Sequence, residues 1–219
     1  MVYIVFICVA VPIMLMLPLL EGRGRWLVAF LILGCYIALC AAEANSFIRG
    51  ALRISSLELS LTFAPLVEEL LKAIPVLAFA WLRSDRRSHV LPVAFSLGIG
   101  FAVMENTCLL TGSGWFTVGW ALVRGFSTGL MHGLTTLMVG VGLTFVRTRR
   151  KLFYTGTFAL LAVAVTYHAM FNLLVSASGA WEWAGFALPP LTYAIAWLVT
   201  GRGRARLART GAKDLAARG

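Results

Sequence analysis

Charged residues are scarce in this chain: they make up 13% of its 219 residues, and only nine residues are acidic. An ordinary soluble domain carries charge on about a quarter of its residues. Hydrophobic residues account for 60% of the sequence, and the mean hydropathy is +0.86. A chain so short of charge and so rich in apolar residues is not an ordinary soluble domain, and the composition indicates an integral membrane protein.

The few cysteines, histidines and aspartates exclude several kinds of site. The four cysteines lie in apolar runs without the spacing of a zinc site or of a disulfide framework. None of the three histidines begins a His-Glu-x-x-His motif. The only aspartates, Asp85 and Asp214, fall in a predicted loop and in the C-terminal tail, which excludes an intramembrane aspartate dyad. No apolar segment carries the Gly-x-Ser-Gly nucleophile of a rhomboid-type serine protease.

The chain does contain a series of long apolar segments. A membrane-spanning helix needs roughly 20 largely apolar residues, and seven segments meet that requirement. They cover residues 2–20, 26–45, 57–82, 90–110, 120–146, 152–178 and 183–199. The sequence therefore predicts an all-α, polytopic membrane bundle of about seven transmembrane helices, forming one domain over residues 1–200.

The basic residues predict how this bundle is oriented. Most of the 19 lysines and arginines lie in the first, third and fifth loops or in the tail, whereas the opposite side holds only Arg49 and Arg53. Cytoplasmic loops are enriched in Lys and Arg, so the N-terminus is predicted outside and the C-terminus inside. Residues 201–219 are predicted to be a basic cytoplasmic tail beside anionic lipid. The positive charge thus indicates contact with a lipid bilayer and not with nucleic acid.

The third apolar segment carries Glu68, Glu69 and Lys72 in its middle. Each ionised group at that depth costs about 2.5 to 3.5 kcal/mol on insertion scales, so an intramembrane charge usually marks a functional site. Glu68 and Lys72 are one helical turn apart and can pair, whereas Glu69 projects about 100° away around the helix. One carboxylate can then be held by Lys72 while the other stays free for chemistry.

The next three segments contribute further polar groups. They are Glu105 and Asn106, then Arg124 and His132, and finally His168 and Asn172. The last two pairs each share a helix face, because their spacings are multiples of four residues. Since successive segments run in opposite directions, the glutamates of the third segment and both histidines are expected at a similar depth. We expect one cavity there, open toward the outer side.

Carboxylates, imidazoles and amides without a cofactor motif favour hydrolysis by an activated water. The same buried groups would also serve a proton-coupled membrane transporter, which is the main alternative from another functional class. The small size of the chain and the lack of a detectable internal repeat weigh against transport.

The ordered set of polar residues resembles the PrsW family of intramembrane proteases and is more distantly similar to the CAAX prenyl endopeptidases. The matching residues are Glu68-Glu69-x-x-Lys72, Phe101-Ala102-x-x-Glu105-Asn106, His132 and His168-x-x-x-Asn172. The CAAX-type pattern has Arg where this chain has Ala73, which makes it the poorer match. The PrsW pattern usually has Tyr where this chain has Leu109.

The PrsW resemblance implies cleavage of a single-span, membrane-anchored protein near the extracytoplasmic side of a bacterial plasma membrane. The family's reference substrates are anti-sigma factors. The implied catalytic set is Glu68, Glu69, Glu105, His132, His168 and Asn172, supported by Lys72, Asn106 and Arg124.

Two mechanisms stay open for this set. In the first, Glu68 or Glu69 activates a water together with His132, while His168 and Asn172 donate hydrogen bonds to the oxyanion. In the second, His132, His168 and Glu105 hold a divalent metal such as zinc, and another glutamate is the base.

Overall fold

The computed structural model describes residues 2–112, 116–177 and 179–216, and these residues form eight α-helices and no strand. The helices are α1 (Val2–Met16), α2 (Gly22–Leu52), α3 (Ser56–Leu61), α4 (Phe63–Leu82), α5 (Arg87–Gly112), α6 (Val118–Leu143), α7 (Arg150–Ser176) and α8 (Ala180–Ala216). A short 3-10 turn, Leu17–Leu19, follows α1.

Five helices in the described part of the chain are long and apolar enough to cross a membrane. They are α2, α5, α6, α7 and the Ala180–Gly201 part of α8. Large apolar side chains such as Phe47, Phe126 and Phe158 are exposed on their outer faces, as a lipid-facing surface requires. The prediction of an all-α membrane bundle is confirmed at this level.

The first and third predicted spans are not among these five helices. The first contains a shorter apolar helical segment, Phe6–Leu19, below the roughly 20 residues of a complete crossing. The third contains α4, whose apolar sequence is interrupted by Glu68, Glu69 and Lys72.

The third predicted span, 57–82, was also wrong as one continuous helix, because the structure breaks it at Thr62. The backbone N–H of Thr62 bonds Glu58 O at 3.1 Å and ends α3, and α4 begins at the next residue. Pro65 explains the break: it has no N–H to donate, and its ring would clash with the carbonyl of Leu61 in a continuous helix. Pro65 lies in the first turn of α4, where a backbone N–H has no partner within the helix in any case. The proline therefore costs this helix no hydrogen bond.

The backbones of α2, α5 and α6 approach one another closely at glycines. A Cβ built on Gly100 of α5 would lie 1.9 Å from Leu31 O of α2, and one on Gly34 of α2 would lie 2.1 Å from Leu97 O. On the opposite face of α5, a Cβ on Gly98 would lie 2.3 Å from His132 O of α6. Small residues at such contacts let membrane helices pack backbone to backbone. They therefore set the position of His132 relative to α5.

The last helix differs from its predicted extent. α8 passes residue 199, where the seventh span was expected to end, and continues to Ala216. The predicted tail therefore starts within this helix. Side chains after residue 201 lie outside the described part, and the division into a 1–200 domain and a basic tail stays a prediction.

The close packing of α2 against α5 predicts a stability difference between two Gly→Ala variants. Gly100→Ala should lower the free energy of unfolding by about 1–3 kcal/mol, because the new methyl group meets backbone that cannot move aside cheaply. Gly125→Ala, on α6 with nothing within 4 Å of its Cβ, should leave stability unchanged or slightly raised. Unfolding in detergent measures both, and equal midpoints for the two variants would contradict the packing argument.

Candidate active site

The side chain of Lys72 is at the centre of a buried polar network. Its Nζ lies 2.7 Å from Glu69 Oε1, 2.9 Å from His132 Nδ1 and 3.5 Å from Thr135 Oγ1. Lys72, Glu69 and His132 each expose 1% or less of their surface. A buried charge is stable only when it is paired and hydrogen-bonded, and these contacts supply both conditions.

The expected pairing of Lys72 with Glu68 was wrong, because Lys72 pairs with Glu69, three residues earlier on α4. Glu69 Oε1 has a second partner, His168 Nδ1 on α7, at 2.9 Å. One carboxylate oxygen thus joins the lysine of its own helix to the imidazole of another. This double use commits Glu69 to holding Lys72 and His168 in place.

His132 is bonded through both ring nitrogens. Nδ1 faces Lys72, and Nε2 lies 2.5 Å from Glu105 Oε2 on α5. An ammonium group can only donate and a carboxylate can only accept, so Nδ1 accepts and Nε2–H donates. Arg124 Nη2 lies 3.6 Å from the other oxygen of Glu105, whose side chain is 37% exposed. The network therefore extends from the buried Lys72 to the partly exposed carboxylate of Glu105, which is its open edge.

Glu68 joins this network through a long contact with His168, and one of its carboxylate oxygens has no direct hydrogen bond. Its Oε1 accepts a 3.1 Å hydrogen bond from Asn45 Nδ2 on α2. Its Oε2 lies 3.8 Å from His168 Nε2, too far for a direct hydrogen bond. The side chain of Glu68 is 14% exposed, whereas that of Glu69 is fully buried. Of the two adjacent glutamates, Glu68 is the more exposed, and its Oε2 is the carboxylate oxygen opposite His168 Nε2.

Glu68, His132 and His168 form a group that could hold a metal ion, since their ligand atoms all lie within 4.8 Å of one another. Two imidazoles and one carboxylate form a known catalytic zinc set. His168 is suited to this role, because its Nδ1 is hydrogen-bonded to Glu69 while its Nε2 faces Glu68 and is available to a metal. His132 can join only by giving up its bond to Lys72 or to Glu105. The donor set therefore fits a divalent metal in its chemistry.

Several buried polar atoms around the network have no hydrogen-bond partner within the described residues. They are Glu69 Oε2, Asn106 Oδ1, Arg124 Nε and Thr128 Oγ1. Buried polar groups are normally satisfied, and where the protein does not satisfy them ordered water or a ligand does. The unpaired atoms lie on three helices, α4, α5 and α6, and are available to bind water or substrate.

Comparison with known proteins identifies this arrangement. The family model described as PrsW family intramembrane metalloprotease matches residues 22–200. The chain belongs to this family. It is therefore an intramembrane protease, and the protease interpretation prevails over the transporter alternative. Neither the curated proteins nor the solved structures include one that matches this chain.

The structure brings together most of the residues that the sequence of this PrsW-family protease singled out. Those in one connected network are Glu68, Glu69, Lys72, Glu105, Arg124, His132 and His168. In the group able to hold a metal, Glu68 occupies the position expected for Glu105, which instead bonds His132 Nε2. The assignment of individual catalytic roles and of Glu105 as a metal ligand stays a prediction.

Two predicted residues lie at the edge of the network. Asn172 Nδ2 donates a 2.9 Å hydrogen bond to Ser60 O and so joins α7 to α3, whereas the glutamates and histidines of the site bond one another and Lys72. Asn106 follows Glu105 on α5 with its side-chain oxygen buried. An oxyanion role for Asn172 stays a prediction, since its amide has a second N–H.

Sequence reasoning missed Asn45 and Thr135, which contact Glu68 and Lys72. Asn45 is a buried amide inside the apolar run of α2, and an intramembrane polar residue of that kind was a usable signal. Thr135 follows His132 by one turn of α6 and therefore shares its face. Threonine is common in membrane helices, so the spacing alone did not distinguish it.

Removing the charge at the centre of the network should destabilise the protein. Lys72→Met leaves Glu69 with one partner fewer in a fully buried site, and we expect a loss of about 3–5 kcal/mol in the free energy of unfolding. Lys151→Met, at an exposed position, should change stability by less than about 0.5 kcal/mol. Reversible unfolding in mild detergent distinguishes them, and a Lys72→Met protein as stable as the control would refute the central role of this lysine.

Proposed function

We propose that this protease cleaves a peptide bond of a single-span membrane protein near the extracytoplasmic side of a bacterial plasma membrane. The depth of the site supports this. Counting 1.5 Å per residue, Glu68 is roughly 8 Å from the start of α4, Glu105 roughly 10 Å from the end of α5, and His168 roughly 12 Å from the end of α7. These helix ends lie opposite the basic loops, on the side that the distribution of Lys and Arg predicts to be outside.

The proposal includes seven spans, with the N-terminus outside and the C-terminus inside. In that topology α1 and α4 cross together with the five more apolar helices. α4 has 20 residues, about 30 Å in length, which matches the hydrocarbon core. Its charged residues Glu69 and Lys72 are buried against other helices and so avoid the lipid.

Glu68 is our candidate for the general base, and its free Oε2 opposite His168 Nε2 is the observation that carries the proposal. The 3.8 Å separation excludes a direct hydrogen bond and leaves both atoms able to contact one water. Glu68 would take a proton from that water as its oxygen attacks the scissile carbonyl. Asn45 holds the other carboxylate oxygen and so orients the base.

The remaining groups would position and balance charge. Glu69 and Lys72 hold His168 and His132, while Arg124 lies beside the exposed Glu105 at the open edge. Arg124 and the second N–H of Asn172 are donors that could face the oxyanion. Because Glu105 is the most exposed acid of the network, we propose that the substrate backbone enters on its side.

The metal-dependent form of the mechanism uses the same residues. Glu68, His132 and His168 would hold a divalent metal such as zinc, and Glu69 would orient His168 from behind. When bound, the metal would supply a Lewis acid that polarises the scissile carbonyl. Glu105, once released from His132, would then be available as the general base. We propose substrates of the anti-sigma-factor kind because these are the reference substrates of the PrsW family to which the chain belongs.

The division of roles between the adjacent glutamates predicts two different variants. Glu68→Gln should lower the cleavage rate by about 100-fold or more with little loss of stability, because the amide can keep the bond from Asn45. Glu69→Gln should lower both activity and stability, because it removes the charge that Lys72 needs. The assay is reconstituted cleavage of single-span substrates carrying stubs on either side of the membrane.

Glu21→Gln provides the matched control, because it changes one exposed carboxylate directly before α2, at the end of that helix far from Asn45. This variant should cleave at the wild-type rate. Full activity of Glu68→Gln would refute the proposed base. Cleavage only of substrates with cytoplasmic stubs would refute the proposed side. Failure of every substrate in the panel, with the protein folded, would refute the anti-sigma-like substrate class.

The metal question has its own measurement. Elemental analysis of the purified protein should find about one divalent metal per chain, reduced at least tenfold in His168→Ala and unchanged in Glu21→Gln. A chelator should then abolish cleavage, and the lost metal should restore it. A metal-free protein that cleaves substrate at full rate would refute metal dependence and leave Glu68 and His168 acting on water alone.

A further inference from the structure

A cavity of about 840 Å³ lies at the opposite end of the bundle from the proteolytic site. The start of α2, the end of α4, the start of α5 and the turn that follows α6 line it. Arg83 on its rim is roughly 17 Å along α4 from Lys72, at 1.5 Å per residue. None of the glutamates or histidines of the proteolytic network lines it, so its chemistry needs a separate explanation.

The rim of this cavity is strongly basic. Arg23, Arg83, Arg86 and Arg147 line it, and the only acidic residue in the lining is Asp85. The arginines come from three separate places in the chain, and the fold brings them together. Four guanidinium groups against one carboxylate favour an anion, and the planar guanidinium matches the oxygens of a phosphate group.

The floor of the cavity is apolar. Trp26, Leu27, Phe79 and Val93 line it, and the rings of Trp26 and Phe79 pack edge to face at a centroid distance of 5.2 Å. The guanidinium of Arg83 lies 5.5 Å from the centre of the Trp26 ring, at the junction between floor and rim. A cavity with a charged rim and an aromatic floor fits an amphiphile better than a bare ion.

The remaining polar groups of the lining are compatible with a phosphate. Ser84 Oγ and His89 Nδ1 are 2.9 Å apart and provide hydroxyl and imidazole groups beside the arginines. α5 begins at Arg87, so the positive end of its helix dipole adds to the field in this region. Asp85 Oδ2 is buried without a hydrogen-bond partner within the described residues, and its negative charge would repel an anion placed next to it. The phosphate is therefore expected at the arginines and away from Asp85.

We propose that this cavity binds the phosphate group of an anionic membrane lipid, with the lipid's apolar part on the Trp26–Phe79 floor. Basic pockets between transmembrane helices are suited to anionic head groups. The four arginines belong to the side that the sequence predicts to be cytoplasmic, where anionic lipid is accessible to such a pocket. A soluble phosphate ester shares the same recognising chemistry but would leave the apolar floor without a ligand.

The test measures lipid binding to the purified, delipidated full-length protein by native mass spectrometry and by thermal unfolding. The probes are phosphatidylglycerol and phosphatidylcholine with the same acyl chains, and glycerol 3-phosphate and inorganic phosphate as probes without chains. The variant combines Arg23→Gln, Arg86→Gln and Arg147→Gln, which are exposed positions on the rim. The matched control combines Arg149→Gln, Arg150→Gln and Lys151→Gln, three exposed cations next to Arg147 that do not line the cavity.

We expect one phosphatidylglycerol per wild-type chain, bound at least tenfold more tightly than phosphatidylcholine. The affinity should fall by about tenfold or more in the rim variant and by less than about twofold in the control. Arginine-dependent stabilisation by the soluble phosphates alone would support the phosphate site and identify solution as its source. Equal phosphatidylglycerol binding by wild type and rim variant, with no effect of soluble phosphates, would overturn the proposal. An equal loss in the control would also overturn it, because surface charge in general would then explain binding.

Discussion

The ammonium group of Lys72 has no access to solvent, and the arrangement of four helices depends on how its charge is satisfied. Glu69 neutralises it from the same helix, and His132 accepts its hydrogen bond from α6. Through Glu69 the network reaches His168 on α7, and through His132 it reaches Glu105 on α5. Because an unpaired charge in this position would cost several kcal/mol, the helices cannot shift independently without breaking a contact. The requirement to pair one lysine thus positions both histidines.

Two neighbouring glutamates on one helix take different roles because helical geometry separates them by about 100°. Glu69 points into the interior and makes two bonds through a single oxygen. Glu68 points toward α2, where Asn45 holds one oxygen and the other stays open beside His168. Asn45 orients the carboxylate of Glu68, and its second oxygen faces His168, which is the geometry that the proposed general base requires. Glu69 contacts Lys72 and His168 instead, so the two adjacent side chains have different partners.

Close packing at glycines gives this polar network a rigid frame. Gly98 brings the backbone of α5 against that of α6 at His132, and Gly100 brings α5 against α2. Toward the other end of the same helices, an aromatic core of Trp26, Phe30 and Phe79 separates the network from the basic cavity. The bundle thus keeps an acidic and histidine-rich site at one end apart from an arginine-rich cavity at the other. The two ends favour ligands of different chemistry.

The sequence by itself determined the membrane class, the helical architecture, the family and nearly all the residues of the network, because composition and ordered motifs are local properties of the chain. Only the tertiary structure decided that Lys72 pairs with Glu69 and not with Glu68, since spacings of three and four are both within reach of a flexible lysine. That choice follows from the positions of His132 and His168 on other helices. The same holds for Asn45, for the bond between Asn172 and Ser60, and for the arginine cavity. Each joins residues far apart in the chain, and their proximity arises only when the helices pack.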